Sequence, residues 1–299
     1  MSTRTLANIV ESMPTSDGAG VKLRRSLGSR ALLRADPFLM LDEFFSDDPR
    51  DYLAGFPSHP HRGFETVTYM LDGHMRHEDH LGNRGELVAG AVQWMTAGRG
   101  IIHSEMPQQQ QGRMRGFQLW LNLPAREKMK PAAYRDIPPA EIPLVIMPGG
   151  AKVKVVAGSL GTGKQATHGP INGAKKDVST DPLYLDVELA PGGEFAHPVN
   201  PAYTALVYPY EGSLIFGSKG EVRTLGRQTL GVLSAGDTVE ATAGKDGARF
   251  LLLAARPLNE PIVQYGPFVM NTREEIEQAI ADYQSGKLTE KPAVRVTHA

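Results

Sequence analysis

The sequence HPHRGFETVTY at residues 59–69, together with QWMTAGRGIIHSE at residues 93–105, carries two pairs of side chains of the kind that bind metal ions. The first pair is His-x-His at His59 and His61, and the second is His-x-Glu at His103 and Glu105. Residues i and i+2 of a strand project from the same face of a sheet, whereas in a helix they point roughly 200° apart. Each pair therefore suits two ligands on one strand.

Both segments have the composition of strands. The run VTY at residues 67–69 follows the first pair, and Ile101 and Ile102 precede the second, with glycines between the apolar runs. β-Branched and aromatic residues bounded by glycine favour strands. A fold that brings the two strands together builds a site of three imidazoles and one carboxylate from His59, His61, His103 and Glu105.

This ligand set indicates the class of metal. Three nitrogens and one oxygen suit Fe(II), Mn(II), Ni(II) or Co(II) in an octahedral site with two positions open for water, substrate or oxygen. Zinc can also bind such groups, but a structural zinc site is more often closed and rich in cysteine, and the chain has no cysteine. The set resembles the facial triad of non-haem iron oxygenases with one extra histidine, so the pattern favours Fe(II).

Other residues near these pairs receive simpler interpretations. His74, His77 and His80 lie in or just past a turn at residues 72–73 and stand among charged residues, which predicts a solvated loop. The segment GFQLWLNL at residues 116–123 alternates like a strand. Its Trp120 is predicted to pack inside a barrel rather than to line a substrate pocket.

The same motifs make the chain resemble a known family. HPHRGFETVTY (59–69), QWMTAGRG (93–100) and HSEMP (103–107) closely resemble segments of the pirin family of the cupin superfamily. Further resemblances are DPFLMLDEF (36–44), GFQLWLNLP (116–124) and GPFVMNT (266–272), which together extend over most of the chain.

The resemblance implies an all-β bicupin with two tandem jelly-roll β-barrels. It also implies that iron is bound only in the first barrel, by the positions matching His59, His61, His103 and Glu105. Some pirins act as quercetin 2,3-dioxygenases, and others are partners of transcription regulators or metabolic enzymes.

Two functions are therefore expected. The first is an iron-dependent oxidoreductase that opens a flavonol such as quercetin, or a related enolic or phenolic compound, with O2, and in which Glu105 acts as the catalytic base. The alternative is a metal-binding regulatory protein that acts through protein–protein interaction.

Composition excludes several other classes. The 299 residues carry 32 basic and 33 acidic side chains, a balance that gives no electrostatic footprint for direct binding of nucleic acid or an anionic membrane. No apolar run approaches the roughly 20 residues of a membrane span, and no signal-peptide core follows the N-terminus. With no cysteine, a cytoplasmic location is expected, and a monomer is favoured.

The chain is long enough for two domains. Prolines cluster among charged residues at 131–150, which predicts a linker between an N-terminal barrel with the metal site (1–130) and a C-terminal barrel without one (151–299). The second half repeats the short strands but offers only His197 where a ligand pair would stand. A short helix over residues 274–283, capped by Asn271 or Thr272 and ended by Gly286, is predicted to end the C-terminal domain and to pack on a barrel.

Overall fold

A computed structural model describes residues 2–28, 35–217 and 222–290, together with the backbone of residues 294 and 295. The described chain is built mainly of strands, as predicted, and its one α-helix is α1 (Arg273–Gln284). Five short 3-10 helices lie between described strands, at Pro49–Asp51, Ala125–Glu127, Pro139–Glu141, Gly163–Gln165 and Lys287–Thr289.

The described strands are, in chain order, β1 (Leu6–Glu11), β2 (Met13–Asp17), β3 (Val21–Leu27), β4 (Phe38–Ser46), β5 (Phe56–His61), β6 (Phe64–Asp72), β7 (His74–Asp79), β8 (Arg84–Val88), β9 (Val92–Thr96), β10 (Ile101–Pro107), β11 (Met114–Asn122), β12 (Ala133–Ile137), β13 (Leu144–Ile146), β14 (Lys152–Ala157), β15 (Ser159–Leu160), β16 (Thr167–His168), β17 (Leu183–Leu189), β18 (Glu194–Pro198), β19 (Thr204–Phe216), β20 (Arg223–Gly226), β21 (Thr229–Leu233), β22 (Thr238–Ala255), β23 (Val263–Tyr265), β24 (Phe268–Met270) and β25 (Val294–Arg295).

The chain divides into two compact units, each assembled from separate segments. The first unit comprises Pro14–Arg34, Phe38–Pro139 and Leu258–Ala299, and the second comprises Met1–Met13, Ala35–Pro37 and Ala140–Pro257. This division differs from the consecutive domains expected from the sequence. Strand β1 pairs with β21 of the second unit, whereas helix α1 packs in the first unit. The predicted linker also contains β12, which pairs with β9, and β13, which pairs with β14.

Two sheets form the first unit. The larger has the strand order β2-β3-β4-β11-β6-β9-β12-β25, and the smaller has the order β5-β10-β7-β8. A buried apolar cluster joins them, because Met75 and Leu87 of the smaller sheet pack with Phe44, Met70 and Met114 of the larger. The two sheets therefore enclose one core, with inward and outward side chains alternating along their strands.

The second unit contains a nine-stranded sheet in which β19 and β22 are unusually long. Its buried core is strongly apolar and includes Val155, Leu185, Val207, Phe250 and Leu252. Packing of this kind stabilises a fold through removal of apolar surface from water.

Helix α1 has the ends that the sequence predicted. Thr272 is the N-cap, and Thr272 and Glu275 form a capping box, in which each side chain accepts a hydrogen bond from the other residue's backbone N–H. Gly286, just past the helix, adopts a left-handed conformation with φ 77°. Ile276 and Ala279 pack against Phe268 and Met270 of β24. Among the residues that the structure describes, no helix has the length and apolar character needed to cross a membrane.

Candidate metal centre

Strand β10 lies between β5 and β7 in the smaller sheet of the first unit. Its antiparallel register with β5 places Ile101 opposite His61 and His103 opposite His59. Because side chains two residues apart share a face, His59 and His61 project on the same side as His103. The structure therefore brings together the three histidines that the sequence singled out.

A turn at Gly63, two residues after His61, follows the end of β5. Gly63 has φ +92°, and a Cβ built on it would lie 1.9 Å from the carbonyl oxygen of Val269, so this position requires glycine. The buried ammonium of Lys128 donates to the carbonyl oxygens of Gly63 (2.7 Å) and Val269 (2.9 Å) and to Oδ1 of Asn122 (2.7 Å). These contacts hold the turn beside β24.

The three imidazoles converge closely. One ring nitrogen from each of His59, His61 and His103 lies within 4.8 Å of the others. The ring centroids are separated by 4.4 Å for His59 and His103, 4.7 Å for His59 and His61, and 4.9 Å for His61 and His103. This spacing lets three nitrogens bind one ion after small side-chain rotations.

Burial keeps two of these rings, those of His61 and His103, neutral. Desolvation, followed by the neighbouring imidazoles, lowers the pKa of His61 and of His103 well below 6.5. Nδ1 of His61 and Nε2 of His103 are buried and have no hydrogen-bond partner among the described residues. Nδ1 of His59 donates to the carbonyl oxygen of Pro57 at 2.8 Å, which leaves its Nε2 as the lone-pair nitrogen. Neutral nitrogens of this kind fit a divalent metal ion.

Glu105 lies on the same strand as His103 but outside the tight group of nitrogens. The register between β10 and β5 shifts between these two residues, and such a bulge re-aims a side chain. Oε1 of Glu105 accepts a hydrogen bond from the Thr68 hydroxyl at 2.9 Å. Burial raises the pKa of Glu105. Its role as a fourth ligand stays a prediction.

The interpretation of His77 as part of a solvated loop is wrong. His77 lies in β7, is 0% exposed, and places its Nδ1 3.1 Å from Nδ1 of His103. The charged neighbours Arg76 and Glu78 point to the other face of the strand, where they are partly exposed, while Met75, His77 and Asp79 are buried. This alternation at residues 74–79 is the sequence signal that could have identified the strand.

The other two histidines of this segment have different surroundings. Nε2 of His74, at the start of β7, lies 2.6 Å from Glu86 of β8 in a partly exposed pair. The backbone N–H of His80 donates to the carbonyl oxygen of Ile102 just after β7 ends. Neither residue belongs to the group of imidazoles at the centre.

A cavity of about 830 Å³ in the first unit opens onto the candidate centre. His59, His61 and Glu105 form one part of its wall, and Trp120 and Phe44 contribute aromatic surface. The Trp120 ring lies 5.4 Å from that of His61 and 4.3 Å from that of Phe64, measured between centroids. Trp120 thus packs in the barrel, as predicted, and it also lines the cavity.

The cavity wall also contains an ion pair. The Arg25 guanidinium binds Asp42 through Nε (2.8 Å) and an Nη2 contact of 2.6 Å, and it reaches Asp17 at 2.7 Å. Burial is the main influence on the Asp42 carboxyl and raises its pKa to about 6. The cavity therefore combines an apolar aromatic surface with charged groups, as small-molecule sites commonly do.

Comparisons with known proteins agree with this architecture. Residues 20–121 match the profile of the Pirin family, and residues 184–289 match that of the Pirin C-terminal cupin domain. A Pseudomonas aeruginosa protein, named provisionally as a quercetin 2,3-dioxygenase, is 54% identical over 92% of this chain and 94% of its own length. Human pirin is 42% identical over 93% of this chain and 91% of its own length.

The crystal structure of quercetin 2,3-dioxygenase from Acinetobacter baumannii shares the fold. It superposes with a TM-score of 0.83 and 33% sequence identity, covering 96% of this chain and 99% of that chain. The expected bicupin architecture is confirmed by these matches. The chain belongs to the pirin family of the cupin superfamily.

Proposed function

We propose that this protein is an iron-dependent dioxygenase that opens a flavonol such as quercetin, or a related enolic or phenolic compound, with O2. The observation that carries the proposal is the convergence of three imidazoles, those of His59, His61 and His103, beside an aromatic-lined cavity whose wall includes His59 and His61. The similarity to proteins named quercetin 2,3-dioxygenase supports the same substrate class.

In this proposal His59, His61 and His103 hold Fe(II), with Glu105 as the fourth ligand. The three nitrogens also suit Mn(II), Ni(II) or Co(II). When bound, such an ion supplies a Lewis acid and a template that stabilise the deprotonated hydroxyl of the substrate. The rings of His61 and His103 need no deprotonation before they bind the ion, because burial already keeps them neutral.

Glu105 serves as the general base. Burial raises the pKa of its carboxyl towards the range in which a carboxylate accepts a proton efficiently near neutral pH. The Thr68 hydroxyl donates to Oε1, so Oε2 is the oxygen available to take the proton of an enolic or phenolic hydroxyl. This role requires the substrate hydroxyl within hydrogen-bond distance of Glu105.

The apolar wall binds the rings of the substrate. Trp120 offers an indole face beside His61, and Phe44 and Leu39 extend the apolar surface of the same cavity. An aromatic substrate that stacks on this surface excludes water from the reacting hydroxyl. The ion pair of Arg25 and Asp42 offers polar contacts to the hydroxyl groups of a second ring.

Oxygen uptake tests the proposal. Full-length protein loaded with Fe(II) is supplied with quercetin, and O2 consumption is followed together with loss of the flavonol absorbance, beside a His61→Ala variant. We expect turnover well above that of free iron, and its loss in the variant together with the metal. Metal bound at one equivalent without O2 uptake would overturn the dioxygenase for flavonols and direct the search to the alternative, a regulatory role through a protein partner.

A further inference from the structure

His77 is a buried histidine that the proposed reaction does not use. We propose that it is a positioning residue, which holds the tautomer of His103 that can bind a metal. The inference rests on the metal site of the proposed function but not on the identity of the organic substrate.

The contact itself limits the possible protonation states. Nδ1 of His77 lies 3.1 Å from Nδ1 of His103, and the ring centroids are 4.8 Å apart. A neutral imidazole has one N–H and one lone pair, so a hydrogen bond between two Nδ1 atoms requires a proton on one and a lone pair on the other. The pair therefore has two possible proton arrangements: either His103 donates from Nδ1 to His77, or His77 donates from Nδ1 to His103.

Only one arrangement leaves His103 able to bind a metal. When His103 carries its proton on Nδ1 and donates to His77, its Nε2 lone pair is free, and Nε2 is the buried atom without a partner among the described residues. In the opposite arrangement His77 donates, so the proton of neutral His103 occupies Nε2 and blocks coordination. His77 must therefore act as the acceptor in the metal-bound protein.

The fold holds His77 firmly in this place. Strand β7 lies between β10 and β8, so His77 is opposite Glu105 on one side and Gly85 on the other. Its ring packs against Tyr134 with centroids 5.2 Å apart and is 0% exposed. A ring held in this place orients a metal-binding histidine when it accepts from that histidine's Nδ1–H, the part that carboxylates and carbonyl groups play in other metal sites.

Two replacements separate acceptor chemistry from packing. In His77→Asn, the Oδ1 atom of asparagine stands where the imidazole has Nδ1, whereas His77→Leu places a methyl group there. The affinity for Ni(II), an air-stable probe, is measured on the full chain by competition with a chelator near neutral pH. We expect the Leu variant to bind about 10- to 100-fold more weakly and the Asn variant to stay within about threefold of the unmodified protein.

His197→Leu is the matched control. His197 is also a buried histidine, 3% exposed, but it lies in β18 of the second unit, so its replacement should leave Ni(II) affinity unchanged. Equal affinity of the Leu variant and the unmodified protein would overturn the proposal. Equal weakening of the Asn and Leu variants would also overturn it, because packing alone would then explain the effect.

A measurement on the unmodified protein does not depend on how the variants fold. With Zn(II) bound and ¹⁵N-labelled histidine, NMR should show His103 protonated on Nδ1 and His77 protonated on Nε2. A proton on Nδ1 of His77 would overturn the proposal. The Ni(II) measurement also separates failure of the His77 proposal from failure of the proposed reaction. A protein that binds Ni(II) but consumes no O2 would contradict the reaction, and its Ni(II) affinity would still show the effect of replacing His77.

Discussion

The hydroxyl oxygen of Thr68 lies 2.9 Å from Oε1 of Glu105. The same hydroxyl lies 2.6 Å from Oε1 of Gln118. Because a hydroxyl has a single proton, both contacts are satisfied when the Gln118 amide is rotated to donate to Thr68 and Thr68 donates to Glu105. This chain of three side chains, in which Thr68 and Glu105 are buried and Gln118 is partly buried, then fixes the orientation of the carboxylate.

Thr68→Val is therefore expected to impair the proposed reaction. Valine has nearly the shape of threonine but no hydroxyl, so Glu105 loses its donor and its fixed orientation. We expect kcat/KM for quercetin to fall about tenfold or more, with a weaker effect in Thr68→Ser, which keeps the hydroxyl. Steady-state kinetics on protein with equal metal content is the measurement, and equal rates for Val and Ser would contradict the prediction.

Trp120 offers a test of how aromatic substrates bind. Its indole lines the cavity between His61 and Phe64. An aromatic pair contributes up to about 1.5 kcal/mol beyond burial, so Trp120→Ala should raise KM for quercetin by about tenfold with a smaller change in kcat. Trp120→Phe keeps an aromatic face and is the matched control. A loss confined to kcat would show that Trp120 acts on the chemical step instead.

The three histidines of the candidate centre could be predicted because their pattern is local. Two histidines two residues apart, next to β-branched residues, already place two imidazoles on one face of a strand. The buried position of His77 beside His103 was missed because it depends on which strand lies next to β10, and charged neighbours in the sequence obscured the alternation at residues 74–79.

The division of the chain into two units also could not be predicted from local sequence patterns. Alternating strands and an amphipathic helix could be predicted from local periodicity, and α1 begins and ends where its capping residues indicate. No local pattern states that β1 pairs with β21, or that α1 packs on β24 in the unit that holds the candidate centre. Such pairings depend on contacts between residues far apart in sequence.

Lys128 is expected to stabilise the first unit. Lys128→Met keeps the length of the side chain but leaves the carbonyl oxygens of Gly63 and Val269 and the amide oxygen of Asn122 without their donor. Each buried acceptor left without a hydrogen bond costs about 1–3 kcal/mol. Part of this cost is offset because the methionine side chain has no charge that must be removed from water on folding. We expect the free energy of unfolding to fall by about 3 kcal/mol.

Urea unfolding followed by tryptophan fluorescence measures this change in the relevant unit. Both tryptophans of the chain, Trp94 and Trp120, lie in the first unit. Lys130→Met is the control, since Lys130 is partly exposed and forms an ion pair with Glu127 at 3.1 Å. It should change stability by less than about 1 kcal/mol. Equal effects of the two replacements would contradict a structural role for Lys128.

His197 is expected to make the stability of the second unit depend on pH. Burial lowers the pKa of His197 from 6.5 to about 4. Between these values the unfolded chain binds the proton and the folded chain does not, so the free energy of unfolding falls as the pH falls from 6.5 towards 4. The largest loss in the free energy of unfolding that His197 can cause is about 3 kcal/mol, and it is reached when the pH is below both pKa values.

His197→Leu removes the titrating group, so its stability should depend less on pH in this window than that of the unmodified protein. Urea unfolding of both proteins, followed by circular dichroism between pH 7 and pH 4 at about equal ionic strength, measures the difference. On acidification the free energy of unfolding of the unmodified protein should fall steadily relative to that of the variant, because only the unmodified protein must exclude a proton from this site to stay folded. Parallel pH profiles would show that the folded chain accommodates the charged imidazole.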